Sequence, residues 1–142
     1  MWNYRQGDGQ VTDRLGVRHG CGYAGRGQGR NNPELQDVHG GYRTEGGIAE
    51  RVEGLSTDDW GPLPCGEYEI KAPVDTATHG PYVMWLVPNP ANQMFGRAGF
   101  GIHGDSIEHP GLASEGCICL PRATREAIWA SGDRLLQVSA GL

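Results

Sequence analysis

PYVMWLV, residues 81–87, is the stretch on which the fold turns. β-Branched and aromatic side chains follow one another here, and Pro81 and Pro88 bound the run, which makes it the best strand in the chain. Strand patterns recur on both sides of it. Upstream, GPLPCG at 61–66 is a rigid turn leading into EYEIK at 67–71, which alternates apolar and polar residues. Downstream, 100–103 and 116–120 read as two further strands, and 135–138 as a closing one. The convincing helix is PRATREAIWAS at 121–131. Pro121 suits its first turn, Gly132 the position just past its end, and Ala123, Ala127 and Ile128 join Leu120 in an apolar stripe.

The N-terminal half is less regular. WNYRQ at 2–6 alternates like a strand and stops at Gly7-Asp8-Gly9, and residues 14–24 suit a second short hairpin arm. The glycines and Asn31-Asn32-Pro33 of segment 22–34 predict a loop without regular structure. Residues 39–60 are polar and Gly-rich, and read as a long loop with one helical turn around 48–54. Together these patterns predict a mostly antiparallel β domain with one helix packed on it.

Composition narrows the function classes. A chain of 142 residues is of single-domain length, and its 24 glycines and nine prolines suit turns and short strands better than long helices. With a net charge of −5 and scattered arginines, no basic stripe exists for nucleic acid. No apolar run reaches transmembrane length, so membrane insertion is not expected. The opening MWNYRQGDGQ has neither a basic nor an apolar leader region. This predicts a product made in the cytoplasm without a signal peptide, which either works there or is carried out by another machine.

Chemistry concentrates in FGIHGDSIEHPGLASEGCICL, residues 100–120. Cys117 is a candidate nucleophile. Gly116 before it allows close substrate approach, His103 on a neighbouring predicted strand could take the thiol proton, and the Cys117 N–H is a natural oxyanion donor. A buried structural thiol is the ordinary alternative for any cysteine. His109 sits in a loop before Pro110-Gly111 and reads as exposed, and His19, His39 and His79 as solvated. Cys119 is open between a resolving thiol, a metal ligand and a core residue. The C-x-C and H-x5-H spacings match no standard zinc pattern, so no metal or other cofactor is expected. Cys21 and Cys65 could pair in an oxidising compartment. In the Gly-rich segment, Tyr23 could stack on a ligand and Asn31 and Asn32 could hydrogen-bond an amide, with a simple ordered turn the alternative.

At these residues the chain resembles the L,D-transpeptidase catalytic domain, whose signature is a His-Gly element followed by Ser/Thr-x-Gly-Cys. They stand here as His103-Gly104 and Ser114-Glu115-Gly116-Cys117. It is most similar to a small branch that includes toxins delivered by type VI secretion and prophage-borne relatives. The similarity runs through GYAGRGQGRNNP (22–33), GPLPCGEY (61–68), NQMFGRAGFGIHGDS (92–106) and ASEGCICLPRATREAIWASGD (113–133), with 39–60 resembling a loop insertion. Two positions depart from the family pattern. Glu115 stands where many members have a second His, and Cys119 where many have Arg or Asn.

The resemblance implies a β-sandwich with one helix near the C-terminus, spanning residues 1–142, and peptidoglycan chemistry. Cys117 would attack the third residue of a tetrapeptide stem and expel the terminal D-alanine, with His103 as base and backbone amides around Gly116 holding the oxyanion. Ser114 and Asp105 are alternative groups for orienting His103. Arg122 could bind a stem carboxylate or simply be solvated. The implied partners are peptidoglycan stem peptides, an immunity protein and a secretion-machine component, with action in the periplasm of a target cell. A non-catalytic peptidoglycan-binding module with the same fold is the alternative.

Overall fold

The computed structural model describes residues 1–141. Its strands are β1 (Trp2–Arg5), β2 (Gln10–Thr12), β3 (Arg18–Cys21), β4 (Tyr23–Ala24), β5 (Val38–His39), β6 (Tyr42–Glu45), β7 (Ile48–Arg51), β8 (Gly66–Ile70), β9 (Val74–Thr76), β10 (Gly80–Pro88), β11 (Gly101–His103), β12 (Ile118–Cys119) and β13 (Leu135–Ser139). The helix α1 (Arg122–Ala130) lies between the last two. The architecture is mainly β and sandwich-like, with this one α-helix near the C-terminus.

Strands pair in the order β3-β2-β1-β13-β8-β10-β11-β12-β4, with β9 alongside β10. Most neighbours are antiparallel, as the sequence predicts, and two pairs are parallel, β1 with β13 and β11 with β12. The run at 81–87 is the hinge of this order. Leu86, Val87 and Pro88 pair with β8, Met84 and Trp85 with β11, and the beginning of β10 with β9. The register slips between Gly80 and Val83, and Tyr82 takes φ 56, so a bulge bends the strand as it passes between its partners.

β3 and β4, at opposite ends of the pairing order, are separated in the chain by Gly22 alone. The Gly22 N–H donates to the Gly9 carbonyl at 2.9 Å. A Cβ at Gly22 would lie 1.8 Å from the Cys119 carbonyl oxygen, so no larger residue fits where the two ends of the order meet. Between the layers lie Trp2, Tyr4, Tyr68, Ile70, Met84, Ile102, Ile118 and Leu136, each at most 2% exposed.

The helix sits where the sequence puts it, with Pro121 at the N-cap and Gly132 at φ 76 just past its end. Its inner face differs from expectation: Ala123 is exposed, and Thr124, Arg125 and Ile128 are buried. Polar side chains can take that face because they find carbonyls there. Thr124 Oγ1 donates to His19 O at 3.0 Å and Arg125 Nε to Leu120 O at 3.1 Å. The larger correction concerns 39–60. Instead of a loop with a helical turn, residues 38–51 form a separate three-stranded antiparallel sheet, β5-β6-β7. Glycine pairs at 40–41 and 46–47, all with positive φ, make its two reversals. Segment 22–34 likewise contains β4 and two short 3-10 turns.

Gly22→Ala is expected to lower stability by at least about 3 kcal/mol, since the atom it would strike is backbone and cannot rotate away. The check is the urea midpoint at unchanged slope.

Candidate active site

The parallel pairing of β11 with β12 sets Ile102 level with Ile118 and His103 level with Cys119. Cys117 therefore falls level with Gly101, on the same face as His103 and one step along the diagonal. Such diagonal neighbours lie about 7–8 Å apart at Cα, within reach of a long side chain. Cys117 is 7% exposed and His103 2%. The Cys117 sulfur accepts the Gly101 N–H at 3.3 Å and lies 3.8 Å from the Gly99 carbonyl.

The thiol in direct contact with His103 is Cys119, whose sulfur is 3.7 Å from Nδ1. That nitrogen also meets the Gly104 carbonyl at 2.7 Å. A carbonyl only accepts, so Nδ1 carries the proton and Nε2 is the basic nitrogen. Neither Ser114 nor Asp105 orients the imidazole as the resemblance suggests; the next residue's backbone does.

Ser114 is fully buried and works on the turn that carries Cys117. Its Oγ donates to the Cys117 carbonyl at 2.6 Å and accepts from Gly116 N at 3.0 Å and Gly25 N at 2.9 Å. Gly116 has φ 127, and a Cβ there would lie 2.5 Å from Arg97 Nη2 and 2.6 Å from the Phe100 ring, so glycine is obligatory. Asp105 organises the loop after His103, accepting from the Tyr23 hydroxyl at 2.5 Å and from the Ser106 and Gly111 amides. Burial alone would raise its pKa, but these donors outweigh it and hold the carboxyl below the ordinary range.

The expected ligand-binding residues have partners within the protein. Tyr23 is buried, its hydroxyl also accepts the Ala113 N–H at 3.0 Å, and Arg30 covers its ring at 4.5 Å, leaving no free face for a ligand. Asn31 Oδ1 accepts the Ala24 N–H, and Asn32 Oδ1 caps the turn at Glu34 N. Arg122 is exposed, paired with Glu126 at 3.2 Å and lying over the Tyr82 ring. Cys21 and Cys65 are free thiols, the latter bonded to Gln6 Oε1 at 3.2 Å.

Four groups have contacts at the site that were not read from sequence. Gly104 supplies the carbonyl on His103. Arg97, 7% exposed, donates to the carbonyls of Gln36, Gly61, Pro62 and Glu115, tying the Cys117 turn to the rigid 61–66 segment. Burial pushes its guanidinium down to about 10, so it remains charged at neutral pH, where it favours the nearby Cys117 thiolate. Nothing distinguishes Arg97 in sequence from a solvated arginine. His79, expected to be solvated, packs with its ring tilted 5.1 Å from the His103 ring and edge-on 5.3 Å from Trp85. Arg125 shares a helix face with Ile128, a periodicity that could have revealed it.

Burial pushes the Cys117 thiol up, opposed by the Gly101 N–H and Arg97, and pushes Cys119 up to about 12. Burial holds His103 below the usual imidazole range, with the Gly104 bond opposing. The resting pair at neutral pH is therefore thiol and neutral imidazole. Beside His103 opens a cleft of about 740 Å3, walled by His79, Gly104, Asp105, Ala113 and Arg125 among others. Ile107, Glu108 and an exposed His109 also border it, and Cys117 is not part of its wall.

Comparison with family models, curated proteins and solved structures finds no match for this chain.

Arg97→Met would leave four carbonyls without their donor and is expected to destabilise the fold by about 3 kcal/mol or more. In the surviving folded fraction, iodoacetamide labelling of Cys117 at pH 8, read by peptide mass spectrometry, should slow severalfold as the stabilising charge is lost.

Proposed function

We propose that this protein is a cysteine L,D-transpeptidase or L,D-carboxypeptidase acting on peptidoglycan tetrapeptide stems, with Cys117 as nucleophile and His103 as base. The observation that carries this reading is the pinning of His103 Nδ1 by the Gly104 carbonyl. It leaves Nε2 as the base and turns the protonated nitrogen toward Cys119, so the nearer thiol faces the wrong atom. Cys119 also lies beside the Asp105 carboxylate, which disfavours a thiolate, whereas Cys117 has the Gly101 N–H and Arg97.

In the first half-reaction His103 Nε2 takes the Cys117 proton as sulfur bonds to the carbonyl carbon of the third stem residue. The Gly116 amide is occupied by Ser114, so the oxyanion falls to the Cys117 N–H. The carbon–nitrogen bond then breaks, the imidazolium gives its proton to the departing amine, and D-alanine leaves a thioester. An amine or water attacks that thioester and loses its proton to His103, which returns it to the sulfur. The products are a cross-linked or exchanged stem in the first case and a shortened stem in the second.

Delivery into the periplasm of a target cell by a secretion machine, with an immunity partner in the producer, rests on the sequence resemblance and belongs to the same proposal. The absence of Cys117 from the cleft wall favours a second reading, a peptidoglycan-binding module without turnover.

Purified protein incubated with disaccharide-tetrapeptides is expected to release alanine or form dimers. The activity should be abolished in Cys117→Ala and retained in Cys119→Ala, as read by mass spectrometry. Binding without product in every sample would favour the module. The pH profile of kcat/KM supplies a second test. Protonated His103 cannot accept a proton, so the rate should fall as pH falls, with an apparent pKa below the ordinary 6.5. It should stay level through neutral pH toward 9, because the Cys117 thiol ionises above its ordinary 9.0. A decline on the alkaline side near neutrality would instead indicate a resting thiolate–imidazolium pair.

A further inference from the structure

Arg125 is 5% exposed, on the inner face of α1. Nε donates to Leu120 O at 3.1 Å, and Nη1 to Pro81 O at 2.9 Å and Tyr82 O at 2.8 Å. These bonds fix the guanidinium plane and leave Nη2 over. Nη2 faces Gly104, where a Cβ would come within 2.9 Å of it, and both residues line the cleft beside His103. No ion pair among the described residues includes Arg125. The neighbouring carboxylate, Asp105, is already engaged by Tyr23, Ser106 and Gly111. The cleft thus contains a buried, rigidly held cation with one free N–H edge, beside a residue that has no side chain to cover it.

The free edge is placed for a particular group. If His103 protonates the departing amine, as the proposed function has it, the leaving residue lies against His103. The α-carboxylate of a terminal amino acid is two covalent bonds from that amine, about 2.5 Å in space. Gly104 adjoins His103 in the chain, and Arg125 Nη2 adjoins Gly104. We infer that Arg125 is a specificity-determining residue that binds the C-terminal carboxylate of the leaving amino acid, so that the site selects peptides ending one residue beyond the scissile bond. A chain one residue longer would carry its carboxylate past Nη2. It would also place an uncharged peptide group, a poorer acceptor, against a guanidinium.

This inference rests on the proposed function, but a binding measurement tests it without turnover. Cys117→Ala protein is titrated by calorimetry with the synthetic tetrapeptide L-Ala-γ-D-Glu-diaminopimelate-D-Ala and with its C-terminal carboxamide. The free acid is expected to bind about 10–100-fold more tightly. Adding Arg125→Met should shrink that ratio to about threefold or less, while Arg125→Lys, which keeps the charge and loses the fork, should fall between. Equal affinity of acid and amide, no binding of either at millimolar peptide, or a ratio unmoved in a folded Arg125→Met protein would each overturn the inference. The acid–amide comparison keeps Arg125 intact and does not depend on the variants folding. An Arg125-dependent preference together with no Cys117-dependent product from the otherwise unaltered protein would leave the carboxylate site standing and remove the proposed reaction.

Discussion

The parallel pairing of β11 with β12 is the constraint on which the site depends. Antiparallel strands could be joined by a tight turn, but parallel ones require the chain to cross over. Here the crossover, residues 104–117, contains neither helix nor strand. An irregular segment of that length must have its polar groups satisfied piece by piece. The Tyr23–Asp105 bond and the Asp105 acceptances from Ser106 and Gly111 hold its beginning. Tyr23 again, through Ala113, and the three bonds of Ser114 hold its end. The residues that resemble a catalytic signature are therefore also the residues that make the crossover rigid, and their immediate work is structural.

Two buried arginines complete the scaffold. Arg97 clamps the Cys117 turn to the 61–66 segment, and Arg125 clamps α1 to the bulge of β10. Among the described residues neither pairs with a carboxylate; Arg97 spends its bonds on backbone carbonyls, and Arg125 does so with all but Nη2. Such a bond set keeps the charge unneutralised inside the protein, where it acts over a low local dielectric on whatever lies beside it. Beside Arg97 that is the Cys117 sulfur, and beside Arg125 it is open cleft. The same device thus serves to fix backbone geometry and to supply positive potential at two separate points.

How much of this could be read in advance follows from the range of the interactions. β10, β8, α1 and β13 announce themselves because hydrophobic pattern, proline and glycine act within a few residues. The β5-β6-β7 sheet escapes that reading because its strands are short and polar, with Ile48 65% exposed and Ile48–Arg51 exposed throughout. Cross-strand pairing and positive-φ glycines hold it, and such pairing has no apolar signature. At the site, motif spacing identifies the His103 and Cys117 turns. It could not show that Gly104 rather than Ser114 or Asp105 holds the imidazole, that Tyr23 is buried, or that Asn31 and Asn32 bond their own loop's backbone. Those outcomes depend on contacts as distant in sequence as Tyr23 with Asp105, or Gly25 with Ser114. Arg122 and Arg125 show the limit most plainly: three positions apart on one helix, the exposed one is conspicuous in sequence and the buried one faces the cleft.

The two cysteines bring the electrostatic argument to its last step. Both sit on one face and both are raised by burial, so neither is a reactive thiolate at rest. A neutral thiol beside a neutral imidazole is stable against oxidants and adventitious acylation, because sulfur becomes nucleophilic only when a base takes its proton. What separates the two thiols in the proposed reaction is that Cys119 faces the protonated nitrogen, and that tautomer is set by a single backbone carbonyl. Were the Gly104 carbonyl turned away, the tautomer would be free, Nδ1 could accept, and Cys119 at 3.7 Å would compete with Cys117. Arg125 borders that peptide from the helix side, its Nη2 lying 2.9 Å from where a Cβ at Gly104 would stand. In the proposed reaction the choice between the two cysteines is thus a property of the crossover's backbone as much as of either thiol.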